Sequence, residues 1–268
     1  MPAESPNTFV ITSEVRTAIV GQLATGPTPT DELLEEIGAS DSAVYDALAS
    51  LRERGIALDD GSRWALTAQG QLVADSIDAW QSTESFLAVD PEYWQEHRLD
   101  VIPPAFRRRL PELGDYEVYR DGRGEPNRAE QVAVSRMAGA RAPDITTPFY
   151  SKNHQENVPN HPETRMLVTR EATDISIQRY REGHRDRLED PDKPQQRLTE
   201  CQFASVVGDE FVLFGLPTAE GALSDTSATF VAETESAVRW GKELFEFLWE
   251  RSDPMDPYIA EHHPDVVS

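Results

Sequence analysis

A chain of 268 residues is long enough for one large domain or two ordinary ones. It carries 25 Lys and Arg against 48 Asp and Glu, a net charge of −23, with Lys only at Lys152, Lys193 and Lys242. That balance excludes a polybasic nucleic-acid binder working through a general positive field. It suits a salt-saturated cytoplasm, where a carboxylate-rich surface retains water; a mesophilic acidic protein is the alternative.

The single cysteine, Cys201, excludes an intramolecular disulfide framework and a Cys-rich zinc site. No run approaches about 18 apolar residues, and the start of the chain is acidic and Pro-bearing, unlike a secretory signal. A cytoplasmic protein with no membrane partner is expected.

Ser13 can cap a first helix whose inner face is Val15, Ile19 and Leu23. Gly26-Pro27-Thr28-Pro29 breaks it, and Thr30 is placed to cap a second helix carrying Leu33, Leu34 and Ile37. Gly38 offers the left-handed backbone of a tight turn. Ser40 is a candidate N-cap for a third helix over 41–54, buried through Val44, Leu48 and Leu51 and ended by Gly55. Strands over 56–59 and 63–66 flank Asp60-Gly61-Ser62, which is hairpin chemistry. Thr67 caps a helix running to Phe86, with Leu72, Val73, Ile77 and Trp80 on its inner side.

This order is that of a winged helix-turn-helix, which places the third helix in a DNA major groove and the hairpin beside it. Ser40, Ser42 and Tyr45 are the candidate base-edge and phosphate contacts, and Arg52, Arg54 and Arg63 the available cations. Yet residues 1–85 hold four basic groups against fourteen acidic ones, a net of −10, and Asp41 and Asp46 sit on the reading helix itself. In molar potassium the counterion-release term is nearly exhausted, so shape fit and hydrogen bonds must supply specificity. Protein contact or dimerisation is the competing use of such a head.

The string ASDSAVYDALASLRERG (39–55), followed by the wing and LTAQG (66–70), resembles the winged helices of archaeal regulators akin to the ArsR and TrmB groups. YWQEHRLDVIPPAFRRRLPELGDYEV (93–118) resembles the opening of the middle domain of the archaeal methanogenesis-regulatory-protein type, with its Trp, His and Ile-Pro pair, and AVRWGKELFEFLWERSDP (237–254) resembles its closing helix. The resemblance implies a one-component transcriptional regulator: a DNA-binding head over residues 1–85 and an α/β regulatory and dimerisation domain over 86–252. An acidic, loosely ordered tail is expected at 253–268. The class is α+β, a winged helix-turn-helix followed by a sensor-like domain with a central sheet.

In the body, Asp90-Pro91 suits a helix start and Ile102-Pro103-Pro104 a kink. Arg107-Arg108-Arg109 could meet DNA or an anionic effector, or pair with neighbouring acids. Strands are expected at 116–120, 145–150, 165–169 and 229–232, with helices at 128–140, 175–181 and 236–251. A hairpin over 202–215 would turn on Gly208-Asp209. Trp80 and Phe86 are candidates for a dimer seam on the linker helix, or for packing into the body. Phe149, Tyr150, His154 and Arg165 are candidates for lining a small-molecule effector site at the sheet.

The six His make no convincing metal set, and no cofactor is implied. TrmB-like bodies have been compared with phospholipase D folds, whose chemistry needs a His and a Lys two residues apart, and no His here has one. A Walker-type loop, a G-x-S-x-G elbow and H-E-x-x-H are also missing from the sequence. Cys201 reads as a strand residue. The expectation is a non-enzyme: a homodimeric regulator of double-stranded promoter DNA in a halophilic archaeon. The alternative is a winged-helix adaptor or DNA mimic that does not touch DNA.

Overall fold

The computed structural model describes residues 4–179, 190, 192–220 and 228–267. Two compact units separate among them, with the division between Ser85 and Phe86.

The first unit holds α1 (Pro6–Ile11), α2 (Glu14–Thr25), α3 (Thr30–Glu36), α4 (Asp41–Glu53), the hairpin β1 (Ala57–Asp59) and β2 (Trp64–Leu66), and most of α5 (Ala68–Val89). This is a winged helix. Ser13 and Ser40 cap α2 and α4, their hydroxyls accepting from Arg16 N and Ala43 N at 3.4 Å each. The core closes through Ile19, Leu23, Leu33, Val44, Leu48, Leu51 and Ile56. Each such aliphatic side chain taken from water contributes roughly 1.5–3 kcal/mol. Gly55 ends α4 at φ +68°, with Gly55 N donating to Arg52 O and Ile56 N to Leu51 O, the paired bonds of a Schellman stop.

Several local expectations are corrected. Thr30 does not cap α3; it is the first helical residue, and its hydroxyl accepts the Trp64 indole N–H at 3.1 Å. Gly38 is not left-handed; the turn closes instead through Ala39 N to Ile37 O. Leu72, expected inside, is 69% exposed, and Trp80 is 47% exposed, because α5 buries Val73, Ala74 and Ile77 instead. The linker between α2 and α3 joins the wing as well: Thr28 and Trp64 exchange both backbone hydrogen bonds.

The second unit is built on an eight-stranded mixed sheet. Its strands are β3 (Tyr116–Arg120), β4 (Asp144–Thr147), β5 (Arg165–Val168), β6 (Gln195–Leu198), β7 (Ala204–Val207), β8 (Val212–Gly215), β9 (Ala228–Ala232) and β10 (Asp253–Pro254). The order is β10-β6-β5-β4-β7-β8-β9-β3, parallel only from β6 through β4. Its helices, named in chain order, are α6 (Pro91–Glu96), α7 (Pro104–Arg107), α8 (Arg128–Gly139), α9 (Lys152–Asn157), α10 (Arg170–Arg179), α11 (Glu235–Trp249), α12 (Met255–His262) and the short α13 (Pro264–Val267).

The sheet is buried on both faces, which is why β8 and β9 are buried without alternation. One face meets Trp240 and Leu244 of α11 and an aromatic cluster of Phe86, Tyr93, Tyr116 and Phe230. The other meets Ala133 and Met137 of α8. Asp90 caps α6 through Tyr93 N and holds Arg120 in a bidentate pair, so its carboxyl lies below the usual range, chiefly by hydrogen bonding to Arg120.

Five expectations for the body are corrected. The 202–215 hairpin closes over Gly208–Phe211, with Gly208 N donating to Phe211 O, because Val207 pairs with Val212. Strand β4 ends at Thr147, leaving Phe149 and Tyr150 in the loop before α9. Helix α10 starts at Arg170, earlier than the expected 175, while 180–181 of that helix lie outside the described residues. The acidic tail is not loose: α12 buries Met255 and Ile259 against Ile177 and Leu198, and Asp174 accepts from Tyr258 Oη at 2.9 Å. Cys201 precedes β7 rather than lying in a strand, and burial pushes its thiol up to about 12.

Candidate functional site

Helix α4 sorts its residues cleanly. Val44, Ala47, Leu48 and Leu51 are buried, while Ser42, Tyr45, Ala49 and Arg52 form one exposed stripe at spacings of three, four and three. Ser40 sits at the N-terminal end of that stripe, its hydroxyl 3.2 Å from Ser42 Oγ, and Tyr45 is 53% exposed. The helix N-terminus and these hydroxyls supply hydrogen-bond donors on an open face.

The cations divide into two pairs. Arg54 lies 4.2 Å over the Phe9 ring and 3.3 Å from the Glu4 carboxylate, and Arg16 covers the same ring at 3.9 Å. Phe9 comes from α1, a helix the sequence reading missed, so Arg54 is engaged by the N-terminal segment. Arg52 stands 5.9 Å from the Trp64 ring, and Arg63 is exposed on the wing; neither makes an ion pair among the described residues. The wing turn is acidic: Asp60 accepts from Ser62 N and Arg63 N, and these backbone N–H groups, with the Ser62 hydroxyl, hold its carboxyl below the usual range.

In the body, a cavity of about 90 Å³ lies between the sheet and α8, α9 and α10. Phe149, Tyr150 and His154 all line it. Ser151 caps α9 by accepting from His154 N, which fixes that histidine over the cavity. Burial holds the His154 imidazole below its ordinary pKa, against the opposing pull of Glu130.

Arg165 does not join them. It points to the opposite sheet face, paired with Asp144 at 2.8 Å and Glu246 at 2.6 Å and lying over Phe245 and Trp249. Strand alternation decides this, since Met166 and Val168 are the β5 residues that line the cavity. Of the arginine triplet, Arg109 is paired with Glu112 and Glu243. The sequence reading missed Met137, Met166 and Met255 in the wall, since isolated methionines carry no periodic signal. Among the described residues no cluster of three or more His, Cys, Asp or Glu could hold a metal, and no helix is long and apolar enough to cross a membrane.

Residues 5–85 match the family model described as HVO_A0261 N-terminal domain, and residues 141–251 match that of the methanogenesis regulatory protein FilR1, middle domain. The chain thus carries one segment similar to each of these two domain types. The second match contains α11 but begins after 93–118, so that stretch lies outside both matched segments. Its Trp94 serves the core, where the indole donates to Tyr116 Oη at 2.6 Å.

Methanogenesis regulatory protein FilR1 of Methanothrix harundinacea (strain 6Ac) is 24% identical over 239 residues, covering 84% of this chain and 52% of the relative. The chain thus spans about half the length of that regulatory relative. Among solved structures, TrmBL2, an archaeal chromatin protein whose structure is described as showing a novel mode of DNA binding, is 15% identical over 89% of this chain and 92% of that one, with a TM-score of 0.39. A MarR family protein of Mycobacterium tuberculosis is 21% identical over 38% of this chain and 75% of that one, with a TM-score of 0.27.

Proposed function

We propose that this chain is a sequence-specific DNA-binding transcriptional regulator, cytoplasmic and adapted to high salt, with a body that responds to a small effector. The observation that carries the reading is the open Ser42–Tyr45–Ala49–Arg52 stripe on the second helix of a helix-turn-helix, beside an exposed wing arginine. Similarity to a regulatory protein supports it. Homodimerisation is part of the proposal. Leu72 and Trp80 are exposed within one face of α5, and a two-fold dimer would present two heads to a pseudo-palindromic site. Phe86, the other seam candidate, is inside the body core.

The net charge of −10 over residues 1–85 favours one competing reading, an adaptor or DNA mimic that binds protein. Replacing Tyr45 and Arg63 together by Ala separates the two. The regulator reading expects loss of genome-wide occupancy by the tagged chain with its circular dichroism unchanged; unchanged occupancy supports the adaptor. A fluorescence titration from dilute to molar KCl adds a second measure: affinity is expected to decline far less steeply than for a basic repressor.

A further inference from the structure

The wall of the body cavity has an unusual make-up. The chain has four methionines, and the three that follow Met1 all line this one space. Unbranched, polarizable thioethers fit irregular contents and re-pack around them. Phe149 and Tyr150 add flat apolar surface, and Ile145, Val206 and Leu213 floor it from the sheet.

Two polar groups of the lining, Glu130 and His154, stand close together. Glu130 carries the single carboxyl group among the lining residues, and its Oε1 stands 4.0 Å from His154 Nε2, beyond hydrogen-bond reach. His154 Nε2 is a buried atom with no hydrogen-bond partner. Glu130 Oε1 receives only long bonds, from Ser151 Oγ at 3.4 Å and Asn153 Nδ2 at 3.3 Å. An oxygen about 2.8 Å from both atoms would subtend roughly 90° between them, open to one hydroxyl that donates to Glu130 and accepts from His154 Nε2–H. The low pKa of His154 keeps it neutral, in a form that makes this bond without importing charge.

We propose that this cavity binds a compact, neutral molecule with an apolar body of benzene's size or smaller and one hydroxyl group, seated between Glu130 and His154. The volume of about 90 Å³ sets the size; an apolar protein cavity of about 150 Å³ holds benzene, so a ring enters here with modest yielding of the methionines. A carboxylate ligand would meet Glu130, and a cationic one would give up its hydration to a wall with no second acid. The proposal names the effector class for the regulator reading and rests on that reading only for its consequence at DNA, since binding is measured without DNA.

The test uses the full chain with ¹³C-methyl methionine in molar KCl and four probes of one ring size: phenol, benzene, benzoate and benzylamine. Phenol is expected to shift the signals of Met137, Met166 and Met255 saturably. Benzene should bind more weakly, and the two charged probes more weakly still. His154→Leu should weaken phenol about tenfold, one hydrogen bond's worth, and leave benzene within about twofold. Ala133→Phe, which fills the space from α8, should abolish all shifts; Val206→Phe fills it from the sheet and guards against a fold defect in the first.

Absence of saturable shifts with phenol overturns the proposal. So does a stronger response to benzoate or benzylamine, or a folded filled variant that still responds as the wild type. Unchanged promoter occupancy on replacing Tyr45 and Arg63 by Ala, with the methionine shifts intact, would instead count against the DNA reading alone.

Discussion

Two glycines in the head, each in a helix, should respond to the same substitution with opposite sign. A Cβ built on Gly70, in the first turn of α5, would stand 2.0 Å from the Ile56 backbone oxygen, 3.1 Å from its carbon and 3.2 Å from Leu66 Cβ. A carbon and a carbonyl oxygen do not approach closer than about 3.3 Å without cost, so the wing backbone must recede by more than about 1 Å. That oxygen also accepts from Thr67 N at 3.0 Å and Thr67 Oγ1 at 3.2 Å, the groups that anchor the start of α5. Overpacking of this kind costs roughly 1–3 kcal/mol and a weakened hydrogen bond about 1 more, against about 1 regained from helix propensity. Gly70→Ala should therefore destabilise the head by roughly 1–3 kcal/mol. Gly21, exposed within α2, has nothing within 4 Å of its built Cβ, so Gly21→Ala should stabilise by about 0.5–1 kcal/mol. Urea unfolding at fixed molar KCl, followed through a 5-fluorotryptophan signal from Trp64, measures both. If Gly70→Ala proves neutral or stabilising, the close approach of α5 to the wing is not a constraint and the reasoning fails.

Arg165→Ala leaves Asp144, 8% exposed, without its paired guanidinium, and should cost roughly 3 kcal/mol at neutral pH. Burial, the larger influence, already raises the Asp144 carboxyl above its ordinary value, so protonation favours the fold; the deficit should shrink as pH falls toward that raised value and grow as pH rises through it, read by thermal melts across pH. Asp60→Asn retains the acceptor oxygen of the wing turn and removes one charge, so DNA affinity in dilute salt should rise roughly fivefold with the fold intact. Because the native Asp60 carboxyl is held low, acidification should reproduce that gain only below the ordinary carboxylate range, where the charge assistance to the turn's hydrogen bonds is also lost. Leu72→Ser with Trp80→Ser removes two exposed apolar groups from α5; if the proposed dimer forms through this face, sedimentation should show a dimer for the wild type and a monomer for the variant, with DNA binding weakened at least about tenfold.

What could be read from the sequence was what repeats at a fixed spacing or has a dedicated residue. The Val44, Leu48 and Leu51 series, the Ser40 cap and Gly55 place α4 to within a residue, since burial and hydrogen bonding agree there. Helix α1 was missed because six residues with only Phe9 and Val10 buried show no period, although Ser5-Pro6 is a start signal. Leu72 was misplaced because the inner face of α5 is Val73, Ala74 and Ile77, and an alanine gives little hydrophobic signal beside a leucine. The Gln195–Leu198 strand was missed because QQRL has no apolar alternation, its place being fixed by pairing with β5 and β10. The same limit applies to the cavity: Phe149, Tyr150 and His154 were found as neighbours in sequence, whereas the methionines reach it from three distant elements and Arg165 leaves it by strand parity.

These placements sharpen the electrostatic problem facing the head. Four basic residues serve a surface with fourteen acids, and the structure engages two of the four around Phe9. Arg52 and Arg63 remain, so a dimer would neutralise at most about four phosphates, and each such contact contributes a slope of about −0.9 in log affinity against log salt. Opposing them are Asp41 and Asp46 on α4 and Asp59 and Asp60 at the wing, each of which must take up a cation to approach a phosphate. Cation uptake subtracts from release, and four acids per head outnumber two arginines. The net dependence on salt is then shallow or reversed. On the proposed regulator reading, the binding free energy that remains would come from the Ser40, Ser42 and Tyr45 face and from the fit of the helix to the groove, which is why truncating Tyr45 tests the reading more directly than any change of charge.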